Sequence, residues 1–158
     1  HSFPTRRSSD WVLSVTDDGI EAILDRAEDV PYNVQLLAHA CWESGQASRA
    51  GTKLTPDFVA GVEASAARRN DPLYTQLWSS LTVPQQKTML ALLHEGTGLA
   101  SGAVSRKYGV PVPTLQKSLK ALESRGLVRE EGAQGAIRLR LEDPLFGAWV
   151  RLTIQRPE

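Results

Sequence analysis

Thr114, Gln116, Lys117 and Lys120 are the residues whose types and spacing best suit a binding chemistry. They are interleaved with Leu115, Leu119 and Leu122, which recur at i, i+4 and i+7. That spacing turns the leucines to one helix face and leaves the polar four on the other. Such a row fits the major groove of double-stranded DNA, with the amide reading a base edge and the lysines meeting phosphates. Further along, Arg138 and Arg140 alternate with Ile137, Leu139 and Leu141. Period-two alternation puts both guanidinium groups on one face of a strand, where two more phosphates could be met.

Other reactive residue types are poorly arranged. Gly51-Thr52-Lys53 lacks the earlier glycine and strand of a P-loop, and Gly96-Thr97-Gly98 is followed by Ser101 where a dinucleotide loop has its last glycine. Ile23-Leu24-Asp25 resembles a strand ending in a magnesium-binding acid but lies in a helical pattern, so Asp25 is expected at the surface. His39 and His94 also fall in helical patterns, where structural roles are expected rather than general-base ones. Cys41 is the single cysteine, so no internal disulfide forms, and with three scattered histidines a Cys/His zinc cage is excluded. Its apolar neighbours predict a buried, unreactive thiol. Glu130 and Glu131 alternate across a strand and cannot form one acid/base pair. No catalytic or metal-ligating residue is assigned.

The elements that must position the polar row follow a definite order. Pro84 opens a helix carrying Met89, Leu90, Leu92 and Leu93, and Gly96 stops it. Ser101 caps a short helix through Val104 and Tyr108, ended by Gly109. After Val110-Pro111 comes the leucine-striped helix, ended by Gly126. Leu127–Glu131 and Ala136–Leu141 then read as two strands joined by a turn over Gly132-Ala133-Gln134-Gly135. Three helices and a two-stranded hairpin make a winged helix-turn-helix.

Upstream, Asp17 or Asp18 is placed to cap a helix over about 19–28, with Ile20, Ile23, Leu24 and Ala27 at helical spacing. A second helix over about 32–44 aligns Val34, Leu37, Ala38 and Cys41, with Leu36 and Ala40 beside them, and Gly45 ends it. A third starts at Thr55-Pro56-Asp57 and runs through Phe58, Val62 and Ala66. No strand signal is visible here, so this half reads as a small helical bundle. Trp42, Trp78 and Trp149 are expected to pin helical interfaces. The fold class is therefore mainly α: a helical bundle over 11–70, a linker over 71–80 marked by Asn70-Asp71-Pro72, and a winged-helix domain with a C-terminal helix over 81–158.

Charge follows the same division. The 158 residues hold 18 Lys+Arg and 18 Asp+Glu, a net charge of zero. Yet residues 11–70 carry nine acids against five bases, and residues 84–126 carry six bases against two acids. A polybasic protein is excluded, whereas a local basic face is not. Hydrophobic residues at 41% suffice for a folded core. No apolar run approaches the ~20 residues that span a bilayer, and a cytoplasmic setting without membrane partners is expected.

Residues 81–141 resemble the winged-helix family. Ala103-Val104-Ser105-Arg106-Lys107-Tyr108-Gly109-Val110 looks like its positioning helix and turn, and Thr114 through Val128, ending Leu122-Glu123-Ser124-Arg125-Gly126-Leu127-Val128, looks like its recognition helix entering the wing. The flanks are similar to a second group, P-loop ATPases of the AAA+/signal-transducing, archaeal type. There a Gly-x-Pro-Tyr-x-x-Gln-Leu-Leu segment opens the lid after the nucleotide core. Here Asp29-Val30-Pro31-Tyr32-Asn33-Val34-Gln35-Leu36-Leu37 matches it, with Asp29 in place of the glycine, and Glu142 through Arg151 resembles the closing helix. The resemblance implies the lid and winged helix of a longer protein whose missing N-terminal core binds ATP, with Pro31 and Tyr32 beside the nucleotide. The first ten residues, HSFPTRRSSD, resemble translated sequencing-adapter read-through and are set aside. Two alternatives stay open: a stand-alone winged-helix transcriptional regulator with a helical dimerisation or effector domain, and a protein-interaction module.

Overall fold

The computed structural model describes residues 13–48, 51–133 and 136–154. The N-terminal segment read as artefactual lies outside the described residues. The chain divides at Arg69/Asn70 into two compact units. It is mainly helical, and its second unit has the element order of a winged helix-turn-helix.

The first unit contains β1 (Leu13–Val15), α1 (Asp17–Arg26), α2 (Pro31–Ala47), β2 (Thr52–Leu54) and α3 (Pro56–Arg69). The strand pair corrects the expectation of a purely helical half. β1 and β2 run parallel, with Leu13 opposite Thr52 and Val15 opposite Leu54. Three residues are too few for an alternation to stand out in a sequence. The cap of α1 is Thr16 rather than Asp17 or Asp18: its hydroxyl accepts from Gly19 N–H and donates to the Leu54 carbonyl. One side chain thus caps a helix and ties it to β2. Gly19 must be glycine, because a Cβ there would stand 2.0 Å from that same carbonyl oxygen.

Helix α2 runs through Gly45, which was expected to end it. Gly45 serves a different purpose: a Cβ would meet the Leu13 side chain at 3.1–3.3 Å, so its absence lets β1 lie close. The buried line of α2 is Leu37, Cys41 and Gly45, while Ala38 and Leu36 are exposed. On α1, Ile23 and Ala27 are buried and Ile20 and Leu24 face solvent. Leu13, Ile23, Leu37, Cys41, Leu54, Val59 and Val62 form the core of this unit. Arg26 donates to Glu63 at 2.7 Å, joining α1 to α3.

The second unit begins with α4 (Asp71–Ser79), where a linker was expected. Asn70-Asp71-Pro72 marks the start of a helix instead, with proline in its first turn. Next come α5 (Val83–Glu95), α6 (Gly102–Tyr108), α7 (Val112–Ser124), β3 (Val128–Ala133), β4 (Ala136–Leu141) and α8 (Pro144–Thr153). Thr82 and Gln85 form a reciprocal capping box at α5, Ser101 caps α6, and Asp143 caps α8. Gly109 ends α6 with φ of 65°, a left-handed turn that favours glycine.

α4 and α8 are tied twice. Tyr74 Oη donates to Asp143 at 2.7 Å, and Trp149 Nε1 donates to Asp71 at 2.8 Å. Phe146 stacks on Trp149 and tilts against Tyr74. Of the three tryptophans expected at interfaces only Trp149 is buried; Trp78 is half-buried and Trp42 is 40% exposed. α5 packs on α6, α7 and α8. β3 and β4 pair antiparallel from Val128 opposite Leu141 to Ala133 opposite Ala136. Gly132 and Ala133, expected in the turn, therefore belong to the ladder, and residues 134–135 lie outside the described residues.

Candidate functional site

α7 is held by its buried residues Leu115, Ser118 and Leu122. Leu119, expected on this inward stripe, is only half-buried. A helix advances about 100° per residue, which centres the inward face on 115, 118 and 122 and puts 119 on its flank. A small buried serine at 118 suits close packing of α7 on α5.

The opposite line of α7 consists of Pro113, Gln116, Lys117, Lys120 and Ser124, all exposed. No side-chain hydrogen bond or ion pair ties Gln116, Lys117 or Lys120 to another described residue. Thr114 is half-buried on the edge of this line, and Glu123 is half-buried on its other edge. From α6, Arg106 is exposed too. Lys107 is not available in the same way: its Nζ lies 2.6 Å from Glu95 and 5.7 Å from the centre of the Tyr108 ring. Tyr108 also donates to Glu95, at 3.0 Å, so this carboxylate joins α5 to α6. Lys87 of α5 reaches the turn before α7, where a Cβ on Gly109 would stand 3.6 Å from its Nζ. Arg125 donates to the Ser80 hydroxyl at 2.7 Å and fixes the end of α7.

On the hairpin, Arg138 and Arg140 share one face, but their surroundings differ. Arg138 is exposed, whereas Arg140 is half-buried and pairs through Nε with Glu131. The sequence reading missed Arg129, which stands directly opposite Arg140. Its signal was the i, i+2 spacing from Glu131 on a strand.

In the first unit, Pro31 is the first residue of α2 and Tyr32 the second, 68% exposed. They follow a turn in which Glu28 and Asp29 both take positive φ, 55° and 57°. Asp29 N–H donates to the Leu24 carbonyl and Glu28 N–H to that of Asp25, a Schellman closure of α1. Left-handed backbone at this point is the conformation glycine adopts most readily. Cys41 is buried, and burial pushes its thiol up to about 11. His39 is exposed and pairs with Glu43, and Asp25 is exposed on α1. Among the described residues no cluster of three or more His, Cys, Asp or Glu could hold a metal ion, and no helix is long and apolar enough to cross a membrane.

The chain matches no protein-family model, no curated protein and no solved structure.

Proposed function

We propose that the second unit binds double-stranded DNA by laying α7 in the major groove. The observation that carries this reading is the line Gln116, Lys117 and Lys120, exposed, bound to no other described residue, and set on a helix whose other face is packed. Cations with an internal partner lose part of their attraction for phosphate, and these have none to lose. Gln116 is the residue suited to a base edge, the lysines to phosphates. Titration of the full chain against mixed-sequence duplex at low salt tests it. Binding in about the micromolar range is expected, with log K falling about 0.9 per phosphate contact against log salt. A Lys117→Ala/Lys120→Ala double variant weakens all sequences alike, while Gln116→Ala mainly relaxes sequence preference. No binding, or binding indifferent to the double alanine, refutes the reading.

A specific feature favours a second reading of the first unit, as the lid of an AAA+/signal-transducing ATPase. The left-handed turn at Glu28 and Asp29 falls where the resembling pattern has glycine, and it presents Pro31 and Tyr32 at the exposed start of α2. In this reading ATP is held by a core outside these residues, and the lid couples nucleotide state to the winged helix. A longer natural chain carrying Gly-x4-Gly-Lys-Ser/Thr ahead of Trp11 is its expected context. A natural chain that starts just before Trp11 leaves the stand-alone regulator.

A further inference from the structure

We propose that Arg129, Arg138 and Arg140 form a phosphate-binding face on the hairpin, and that in the free protein Glu131 occupies it as an internal stand-in for the phosphate of duplex DNA. The inference rests on the nucleic-acid reading above. The ladder sets Arg129 opposite Arg140 and Glu131 opposite Arg138. Period-two alternation brings all four to one face. The other face carries Val128 and Leu141, both buried, so the arginine face is the outward one.

Like charges directly opposite each other destabilise an antiparallel pair, so Arg129 against Arg140 calls for a counter-charge. Glu131 supplies it. One of its oxygens pairs with Arg140 Nε, and the other lies 3.9 Å from an Arg129 terminal nitrogen. Glu142 approaches Arg129 Nε at 3.8 Å from the end of the ladder. Three guanidinium groups thus face two carboxylates, and only one of these sits among them. The long contacts to Arg129 and the exposed position of Arg138 leave donors that a phosphate, with more acceptor oxygens, satisfies better.

The two inner arginines are partly buried: their side chains are 20% exposed for Arg140 and 31% for Arg129. Glu131 is 46% exposed and can turn into water, since a solvent-accessible ion pair is weak. Binding then exchanges one carboxylate for one phosphate, with no rearrangement of the strands.

The test compares two isosteric variants of the full chain that change net charge equally. Glu131→Gln removes the stand-in, and Glu130→Gln alters the opposite face of the same strand. At low salt, Glu131→Gln is expected to tighten binding to mixed-sequence duplex about three- to tenfold, and Glu130→Gln less than about twofold. Arg138→Gln, at an exposed position, is expected to weaken binding and to reduce the salt slope by about 0.9. Thermal melts by circular dichroism establish that each variant folds. If duplex binding depends on Lys117 and Lys120 but Glu131→Gln behaves like Glu130→Gln, or Arg138→Gln leaves the slope unchanged, this inference falls and the α7 reading stands. If neither the wild type nor Glu131→Gln binds duplex, both fall together.

Discussion

Two glycines in helices offer the same substitution with opposite expected outcomes. A Cβ on Gly19 would lie 2.0 Å from the Leu54 carbonyl oxygen and 2.8 Å from the Leu54 carbonyl carbon. Real Cβ contacts essentially never fall below 3.0 Å, so β2 must retreat from α1 by about an ångström. Overpacking of this kind costs about 1–3 kcal/mol, and a backbone obstacle that cannot rotate away belongs at the upper end. The retreat also stretches the hydrogen bond from Thr16 to that carbonyl, about 1 kcal/mol more. The better helix propensity of alanine returns at most about 1 kcal/mol. Gly19→Ala should therefore destabilise the first unit by about 2–3 kcal/mol. Gly61 lies in α3, is exposed, and a Cβ there would meet nothing within 4 Å. Gly61→Ala should stabilise by about 0.5–1 kcal/mol through propensity and a less flexible unfolded chain. Hydrogen exchange read by mass spectrometry on peptides within 13–69, with urea unfolding of the full chain, measures both. Equal shifts in the two variants, or an unharmed Gly19→Ala, would refute the β1–β2 arrangement and the approach of α1 to it.

The expected cost of Leu115→Ala or Leu122→Ala is about 2–5 kcal/mol, and Leu119→Ala should cost clearly less because Leu119 is half-buried; chemical denaturation ranks them. Tyr74→Phe keeps the aromatic cluster but deletes the bond to Asp143, an expected loss of about 1.5–3 kcal/mol in thermal unfolding. Asp29→Gly should stabilise by about 0.5–1 kcal/mol, since it relieves a left-handed aspartate; a loss in urea unfolding would contradict the assigned turn. The Cys41 thiol, raised from 9.0 to about 11, stays protonated in the folded state while the unfolded thiol ionises. Its contribution to stability is thus intact below pH 9 and declines as pH rises towards 11, and thiol-reactive probes should label native protein slowly at pH 8.

The second unit was legible because its signals are local and repeated. Pro84 and Ser101 announce two helix starts, Gly96 and Gly109 two ends, and a leucine period and a strand alternation fill the rest. What stayed hidden depends on partners distant in sequence. Thr16 caps α1 because the Leu54 carbonyl, far along the chain, accepts its hydroxyl's hydrogen bond, and no local rule prefers it to Asp17. Gly45 looks like a helix stop and is a contact surface for Leu13. Asp71-Pro72 looks like a linker and opens a helix, because Tyr74 and Trp149 join it to an element nearly eighty residues away. At the candidate site, the exposed positions Gln116, Lys117 and Lys120 follow from helical period alone. The pairing of Arg140 and the presence of Arg129 beside it require the register.

Charge count is a poor guide to which cations could meet a ligand, and internal use is a better one. The basic stretch over 84–126 has six cations. Lys107 is bound to Glu95 and Arg125 to Ser80, and both hold helices in place. These contacts are exposed, so removing either should cost no more than about 1 kcal/mol of stability, with any loss of binding following from loosened helices. Lys117, Lys120 and Arg106 are exposed and bound to no other described residue, so the fold does not explain why they are charged. A long side chain kept on a helix flank without an internal partner contributes little to stability. Its removal should leave the melting temperature nearly unchanged and act on binding alone. The hairpin arginines lie between these classes: Glu131 pairs with Arg140 in the free protein, and a stronger acceptor such as phosphate can displace that carboxylate. Two classes of cation on one small unit therefore predict two separable phenotypes. Lys117→Ala and Lys120→Ala should lower affinity at constant stability, and Lys107→Ala should lower stability before affinity. If instead Lys107→Ala melts like wild type while Lys117→Ala unfolds the second unit, this division of the basic residues is wrong.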